Sequence, residues 1–393
     1  MLKGFDIICF CTYWDDPWGS KQRVMELLSK SNRILYVEYP QSILHYLFYP
    51  HIRKYLFKKS VRFINKNLIV YRPIPLLPFW FYSKAINKFN LKVIYFLLQR
   101  KIKKFGFRNL VLWTFLPNMK DLITRLDGKL SIYQCVADFI NEKKNSLRMV
   151  TIRKMEEDLL GNVDIVFAST QSLYNRFKAF NKNVYLSRSA VSDDIFCEDS
   201  VKKIDELNDL KNIESPRLGF VGYIDGNTLD IQLLESIASY NKEWNIVLVG
   251  MIFRQAHLVN SLRKYKNIHF LGKKNQNLLP SYIANFDVCL IPYVVNEFTY
   301  NVSPLKLYEY LSLGKPVVSV ALEEILQYLD IVRIAHSKDE FIKAIEGYLR
   351  NDSVLEKKKR KIVAQDNCWK KRVESISEVI ENTLKLKSVY KCD

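Results

Sequence analysis

The stretch 303–320, SPLKLYEYLSLGKPVVSV, predicts a helix, an abrupt stop and a buried strand in direct succession. Pro304 suits the first helical position, because the N–H group that proline lacks would have no partner there. Gly314 favours a left-handed end to the helix, and Pro316 prevents the helix from continuing. Residues 317–320 are apolar apart from one serine, which is typical of a short core strand.

Glu309 is the one acidic residue of this stretch. A helix N-terminus offers unpaired N–H groups and a partial positive charge, and is therefore an anion site. A carboxylate one turn further along the helix would accept two ribose hydroxyls, so the spacing fits a nucleoside diphosphate. The pattern alone also fits an amphipathic helix with one solvated glutamate, and both interpretations stay open at this point.

The same segment resembles the nucleotide-binding signature of retaining GT-B glycosyltransferases, in the bacterial branch that reads SPLKLYEYLxxGKPVV. The resemblance continues upstream through 286–292 (FDVCLIP) and 296–299 (NEFT), and downstream through 339–345 (DEFIKAI). It is strong over the second half of the chain and traceable over the first. It implies two Rossmann-like domains that face each other across a cleft, with a C-terminal helix that crosses back to the N-terminal domain.

The resemblance also implies a donor site around the signature helix, with Glu309 holding the ribose. Many relatives carry a second glutamate eight positions earlier, near the transferred sugar, where this chain has Asn301. The loop 222–228 matches the family's phosphate loop but has Tyr223 in place of the usual basic pair. We therefore expect Lys306 to offset the diphosphate charge, with Arg254 and Lys273 as weaker candidates, although a solvated Lys306 fits the pattern too. The remaining predicted donor residues are Ser303, Pro304, Leu305, Gly222 and Glu297.

Two segments of the first half resemble acceptor-side elements of the family. YQCVAD at 133–138 is similar to the branch motif YDCVDD and keeps its last acid as Asp138. Asp138 would either orient an acceptor hydroxyl or cap the following helix. In the loop 14–22, Trp14 and Trp18 would either stack on sugar rings or pack beneath the loop. With Lys306 and Asn301, Asp138 completes the set of candidate catalytic residues.

The chain has 393 residues, more than one hydrophobic core usually serves, so two domains are expected. A polar stretch at 198–215 is the predicted link between an acceptor-binding domain at 1–197, on which residues 369–393 pack back, and a nucleotide-sugar-binding domain at 216–368. Short apolar runs alternate with helical patterns, as in parallel α/β folds. The predicted strands are 5–11, 34–37, 68–71, 110–113, 130–136, 165–168, 218–221, 246–249, 268–271, 288–291, 317–320 and 331–334.

The formal net charge is +19 and is unevenly distributed. No acidic residue lies between Glu38 and Asp121, while 53–108 contains fifteen lysines and arginines and many aromatic residues. Basic and aromatic side chains together suit an anionic membrane surface, and would also suit nucleic acid. We expect the membrane rather than nucleic acid, with Lys58, Lys59, Lys101, Lys103 and Lys104 binding lipid and Phe79, Trp80 and Phe81 inserting shallowly.

Several classes of protein are disfavoured. No apolar run reaches the length of a membrane span, and no secretory signal is evident at the N-terminus. Seven cysteines without CxxC pairs favour reduced thiols in the cytoplasm. The five histidines lack metal-ligand spacing, and Walker A, GxSxG and DxD motifs are missing.

The resemblance therefore implies a retaining glycosyltransferase, and the remaining sequence features favour a metal-independent enzyme at the cytoplasmic face of the membrane. Its donor would be a nucleotide diphosphate sugar, with no other cofactor, and its acceptor a lipid-linked or growing cell-surface glycan. A degenerate membrane-surface scaffold and a sugar-nucleotide epimerase of the same architecture are the alternatives.

Overall fold

The structure, a computed structural model, describes residues 1–16, 19–48, 59–136, 146–300 and 302–389, with only the backbone for His45, Tyr46, Glu297 and Val389. The chain forms two compact units. The first contains Met1–Arg188 together with Lys370–Asp393, and the second contains Ser189–Trp369. The stretch 198–215, expected as the link, adds Leu207, Leu210 and Ile213 to the core of the second unit.

The first unit is built on a sheet in the order β3-β4-β2-β1-β5-β6-β7-β8, parallel except for the antiparallel pair β3 and β4. The central strands are buried on both faces, as expected of a sheet covered by helices on each side. The strands are β1 Asp6–Cys11, β2 Arg33–Glu38, β3 Val61–Phe63, β4 Leu68–Tyr71, β5 Leu110–Thr114, β6 Leu130–Cys135, β7 Ile165–Ala168 and β8 Val184–Leu186.

The second unit has an all-parallel sheet in the order β11-β10-β9-β12-β13-β14. The order reverses between β9 and β12, because successive strands add on one side of β9 and then on the other. These strands are β9 Arg217–Val221, β10 Asn245–Val249, β11 Ile268–Gly272, β12 Val288–Ile291, β13 Val317–Val320 and β14 Arg333–Ala335.

Most longer helices begin at a serine, threonine or aspartate whose side chain accepts an N–H of the first turn, which satisfies one unpaired donor. These caps are Ser83, Ser146, Thr170, Asp230, Ser337 and Ser353. The α-helices are Ser20–Ser29, Ile43–Phe48, Lys84–Phe105, Lys120–Ile123, Leu147–Leu160, Gln171–Lys178, Ile231–Tyr240, Ala256–Asn260, Leu279–Ala284, Glu297–Tyr300, Leu305–Ser312, Glu323–Leu326, Lys338–Arg350, Val354–Asp366 and Trp369–Val389.

The predicted α/β class with two parallel-sheet domains is confirmed, and each predicted strand has a counterpart. The last one is displaced to Arg333–Ala335, because the N–H groups of Ile331 and Val332 close a turn onto the Tyr328 carbonyl. The sequence missed β3 and β8, which are strands of only three residues at the edges of the first sheet, too short to show a clear strand pattern. In the described part of the chain, no helix combines the length and apolar character needed to span a membrane.

Candidate functional site

The carboxyl ends of β9 and β12 meet where the strand order of the second sheet reverses. Open α/β sheets bind ligands in the crevice that forms at such a point. The loop after β9 begins with Gly222, and the segment after β12 leads through Tyr293 into the helix Leu305–Ser312. The predicted phosphate loop and the predicted signature helix therefore border the same crevice.

The signature helix begins one residue later than predicted. Pro304 has extended backbone and is the N-cap, so Leu305 is the first helical residue. The N–H groups of Leu305 and Lys306 have no acceptor among the described residues. Two unpaired donors and the positive end of the helix make this terminus suitable for a phosphate group.

The other end of the signature helix closes as the sequence predicts. Gly314 is left-handed, with φ of 69°, and its N–H and that of Lys315 bond the carbonyls of Leu311 and Tyr310. This is the Schellman pattern. The guanidinium of Arg360, fully buried, donates to the Gly314 carbonyl at 2.9 Å and pairs with Asp352. Arg360 thereby fixes the helix end to the helix Val354–Asp366.

Two glycines let the backbone of the phosphate loop lie close to its neighbours. Gly250, after β10, has φ of 153°, and a Cβ there would lie 1.7 Å from the Gly222 carbonyl oxygen. Gly222 itself has φ of 149°, and a Cβ on it would lie 3.3 Å from Cε of Lys306. The loop and the signature lysine are therefore in direct contact.

Lys306 lies in an aromatic setting rather than in free solvent. Its ammonium donates a hydrogen bond to the Tyr293 hydroxyl and lies 5.3 Å from the ring centre of Phe220. No acidic side chain in the described ranges forms an ion pair with it. Its positive charge is thus held at the crevice and available to an anion, which favours the binding interpretation of Lys306 over a solvated surface lysine.

Glu309 is buried, with 8% of its surface exposed, and its carboxylate has no hydrogen-bond partner in the described part of the chain. Burial raises the pKa of Glu309 to about 7, while the charge of Lys306 one turn earlier acts in the opposite direction. A buried carboxylate without partners is costly unless a ligand supplies donors. This burial disfavours the solvated-glutamate interpretation.

The raised pKa of Glu309 predicts how stability depends on pH. Between its ordinary pKa of 4.5 and about 7, folded Glu309 keeps a proton that the unfolded chain has lost. Unfolding then releases a proton, so the free energy of unfolding should fall by up to about 1.4 kcal/mol per pH unit across this window. Denaturant titrations at several pH values measure this slope. Glu309→Gln should flatten it and the exposed control Glu243→Gln should not; equal slopes in all three proteins would contradict the assignment.

The other predicted donor residues are distributed around the same sheet edge. Ser303 is engaged, because its Oγ accepts the N–H of Ser189 and its carbonyl accepts the Ser189 hydroxyl. Tyr223 is exposed and packs against Phe253, over which the Arg254 guanidinium lies at 5.0 Å. Lys273 is exposed after β11. These placements leave Lys306, Glu309 and Gly222 as the residues that the crevice brings together.

Several predicted residues fall outside the described residues, and for Trp14 the structure selects one of the two alternatives. Asp138, Asn301 and Trp18 lie outside the described residues, as does the side chain of Glu297. Trp14 is buried edge-on against Tyr36 at 5.1 Å, so it packs beneath its loop and does not stack on a sugar. The sequence interpretation missed Tyr293 and Arg360, for which no motif of the chain gave a signal.

The described ranges contain no group of three or more His, Cys, Asp or Glu side chains arranged to hold a metal ion.

The chain is similar in sequence to known glycosyltransferases. Residues 215–351 match the family model described as "Glycosyl transferases group 1". The Bacillus subtilis (strain 168) protein TuaH, whose name assigns it to teichuronic acid biosynthesis as a glycosyltransferase, is 25% identical over 275 residues, which cover 66% of this chain and 68% of TuaH. The family match therefore spans the phosphate loop and the signature helix.

Solved structures match nearly the whole chain. A trehalose-phosphate synthase from Burkholderia vietnamiensis has a TM-score of 0.71 at 11% identity, covering 98% of this chain and 99% of its own. An E. coli structure titled as trehalose-6-phosphate bound with UDP-2-fluoro glucose has a TM-score of 0.69 at 12% identity, covering 96% and 99%. The chain has the GT-B fold of these structures, and its similarities to the group 1 family model and to TuaH identify it as a glycosyltransferase.

Proposed function

We propose that this enzyme transfers a sugar from a nucleotide diphosphate sugar to an acceptor hydroxyl with retention of anomeric configuration. The observation that carries the proposal is the convergence of three features at one crevice: helix N–H groups and a buried Glu309 carboxylate that have no partner among the described residues, and the Lys306 ammonium. These three features match the diphosphate and ribose of such a donor at the spacing of one helical turn.

The proposed chemistry is electrostatic. As the bond between the sugar and the diphosphate breaks, negative charge grows on the leaving phosphate. Lys306 and the N–H groups of Leu305 and Lys306 are fixed before the reaction and would stabilise that charge. In this proposal the leaving phosphate itself accepts the proton of the acceptor hydroxyl on the same face of the sugar. This mechanism requires neither a protein base nor a metal ion. The nucleotide sugar is a substrate, and the proposed reaction uses no other cofactor.

We further propose that the acceptor is a lipid-linked or growing cell-surface glycan. Two observations support this class. The name of TuaH places a relative of this chain in the synthesis of a polysaccharide. The first unit also presents a basic and aromatic surface that suits an anionic membrane. At the cytoplasmic face of the membrane, an enzyme bound through this surface would reach a lipid-linked acceptor.

The proposed membrane surface is the outward face of the helix Lys84–Phe105. The helix buries Leu91, Ile94 and Leu98 in the core, and it contains no acidic residue. On its other face Phe89 and Phe96 are 54% and 57% exposed, seven positions apart and therefore on one side. They are accompanied by exposed cations without an acidic partner in the described ranges: Lys88, Lys92, Arg100, Lys103 and Lys104.

This surface shares only Lys103 and Lys104 with the residues named in the sequence prediction. Trp80 is only 5% exposed and packs against Tyr39, so the expectation that it inserts into lipid is wrong. Phe81 is also packed against the core, whereas Phe79 is exposed. Lys101 lies over the ring of Tyr71 at 5.2 Å. Lys59 is exposed, and Lys58 lies outside the described residues.

The class of reaction is tested by incubating the enzyme with UDP-, GDP-, ADP- and dTDP-sugars and measuring release of the nucleoside diphosphate. Slow hydrolysis of one donor, faster with a membrane glycolipid extract, supports a transferase. Isomerisation of the sugar without release would support an epimerase, and no turnover of any donor would support a scaffold. The anomeric proton coupling of the product, measured by NMR, separates retention from inversion.

Lys306→Met should reduce turnover roughly tenfold or more, because it removes a charge that interacts with the leaving phosphate. Binding of the bare nucleoside should hardly change, since the nucleoside lacks that phosphate. Steady-state kinetics and calorimetry measure the two effects. Equal losses in both would point to a structural role for Lys306.

A chelator supplies the matching control for the metal-independent mechanism. EDTA should leave the activity of the unmodified enzyme intact after dialysis. Complete loss of activity, with recovery on addition of a divalent cation, would contradict this part of the proposal.

A further inference from the structure

We propose that Tyr293 is a positioning residue that fixes the Lys306 ammonium toward the diphosphate of the donor. The inference rests on the proposed function of Lys306 and goes beyond it, since it explains what holds a flexible side chain in place. Tyr293 belongs to no recognised motif of the sequence.

The contact between the two side chains is direct. The Lys306 ammonium donates to the Tyr293 hydroxyl and lies 4.9 Å from the centre of its ring. Phe220 bounds the ammonium on another side, with its ring centre 5.3 Å away. The backbone of Gly222 passes along the lysine stem, where a Cβ would be 3.3 Å from Cε. The lysine therefore lies in a cage formed by two rings and one glycine.

Tyr293 is itself held firmly. The N–H of Asp230 bonds the Pro292 carbonyl at 2.9 Å, and the N–H of Val294 bonds the Thr228 carbonyl at 2.8 Å. These bonds flank Tyr293 and pair its backbone with Leu229 as an antiparallel bridge. Its ring lies edge-on to Phe220, with 6.3 Å between centres, and only 8% of the residue is exposed. The phenol is thus a fixed acceptor.

A fixed acceptor matters because a free lysine has many rotamers and loses that freedom when it binds a ligand. Stabilisation of developing charge is most effective when the donor is already oriented. Tyr293 orients Lys306 before the donor arrives, and it does so from the segment after β12. Loss of the phenol should therefore weaken what Lys306 does without disturbing the nucleoside site at Glu309.

The test is a double-mutant cycle on nucleotide binding with the full chain. Tyr293→Phe, Lys306→Met and the double variant are compared using two probe pairs, uridine with UDP and guanosine with GDP. For the pair that binds, the quantity measured is the affinity for the nucleoside diphosphate divided by the affinity for the nucleoside. This ratio is the diphosphate gain. Tyr348→Phe is the matched control, because it removes a buried phenol of the same unit that bonds the Ile331 carbonyl, away from Lys306.

We expect Tyr293→Phe to reduce the diphosphate gain about fivefold, the effect of one lost hydrogen bond, with nucleoside affinity unchanged. In the Lys306→Met background the same change should have little further effect, since no ammonium remains to be oriented. Tyr348→Phe should leave the gain unchanged even if it lowers the melting temperature.

Independent, multiplicative losses in the double variant would overturn the positioning role, as would a Tyr293→Phe protein that loses nucleoside and diphosphate affinity equally. A Lys306→Met protein with an unaltered diphosphate gain would instead remove Lys306 from the phosphate site and the inference with it. Absence of binding by all four nucleoside diphosphates, UDP, GDP, ADP and dTDP, would contradict the nucleotide site as a whole.

Discussion

Glu309→Ala is expected to weaken binding of the donor nucleotide at least tenfold. A carboxylate that accepts two ribose hydroxyls in a partly dry site makes charge-assisted hydrogen bonds, each of about 1.5–3 kcal/mol. Loss of even one such bond exceeds the 1.4 kcal/mol or so that corresponds to a tenfold change in affinity. Calorimetric titration with UDP and GDP, at pH 8 where the carboxylate is ionised, measures the effect.

Two variants sharpen the interpretation of this loss. Glu309→Gln keeps the shape and one acceptor oxygen, so it should bind more tightly than Glu309→Ala and less tightly than the unmodified protein. Glu346→Ala removes a glutamate from the helix Lys338–Arg350 of the same unit, where it accepts from Tyr240. It should leave nucleotide affinity unchanged.

Burial of Glu309 also predicts how replacing this residue changes the free energy of unfolding. Because the free carboxylate is desolvated and lacks a described partner, its replacement by glutamine should not destabilise the protein without ligand at pH 8. Nucleotide affinity that is unchanged in Glu309→Ala would remove the residue from the site. Loss of affinity accompanied by unfolding of the second unit would show a structural role instead.

Charge reversal on the helix Lys84–Phe105 is expected to abolish binding to anionic vesicles. Each lysine near such a surface contributes about 1 kcal/mol, so replacing Lys88, Lys92, Lys103 and Lys104 by glutamate removes about 4 kcal/mol and adds repulsion. By this estimate the affinity for vesicles falls by about a thousandfold. Co-sedimentation with vesicles of phosphatidylglycerol and phosphatidylcholine measures it.

Salt and matched variants separate electrostatic attraction from insertion. Binding of the unmodified protein should fall steeply with salt, since the Debye length shrinks from about 10 Å at 0.1 M to about 3 Å at 1 M. Phe89→Ser with Phe96→Ser should weaken binding and keep this salt dependence. Lys358→Glu with Lys359→Glu changes charge on an exposed helix of the second unit and should affect binding far less.

Nucleotide binding serves as the internal reference for this prediction. The reversed helix lies in the first unit and the signature helix in the second, so UDP or GDP affinity should survive the charge reversal. Unmodified protein that ignores anionic vesicles at low salt would contradict the membrane surface. If the same protein retained RNA or DNA tightly, the basic segment would have to be assigned to nucleic acid.

The sequence by itself determined the order of elements and the chemistry of the signature segment. Pro304, Gly314 and Pro316 set the ends of one helix through local backbone preferences, and runs such as 317–320 determined strands through apolar composition. These are short-range properties, which act between residues a few positions apart. The N–H groups of Leu305 and Lys306, which have no acceptor among the described residues, follow from the same local rule, because the first N–H groups of a helix have no partner within that helix.

Only the tertiary structure decided which side chains meet at the crevice and which are buried. Tyr293 and Lys306 belong to different elements, and Arg360 reaches the Gly314 carbonyl from 46 positions away. Trp80 was expected to insert into lipid, and the pattern around Glu309 also fitted a solvated carboxylate, yet both residues are buried. Periodicity tells which face of an element is apolar. Which element packs against that face depends on contacts between distant parts of the chain, and those contacts set the charge, burial and orientation of each side chain.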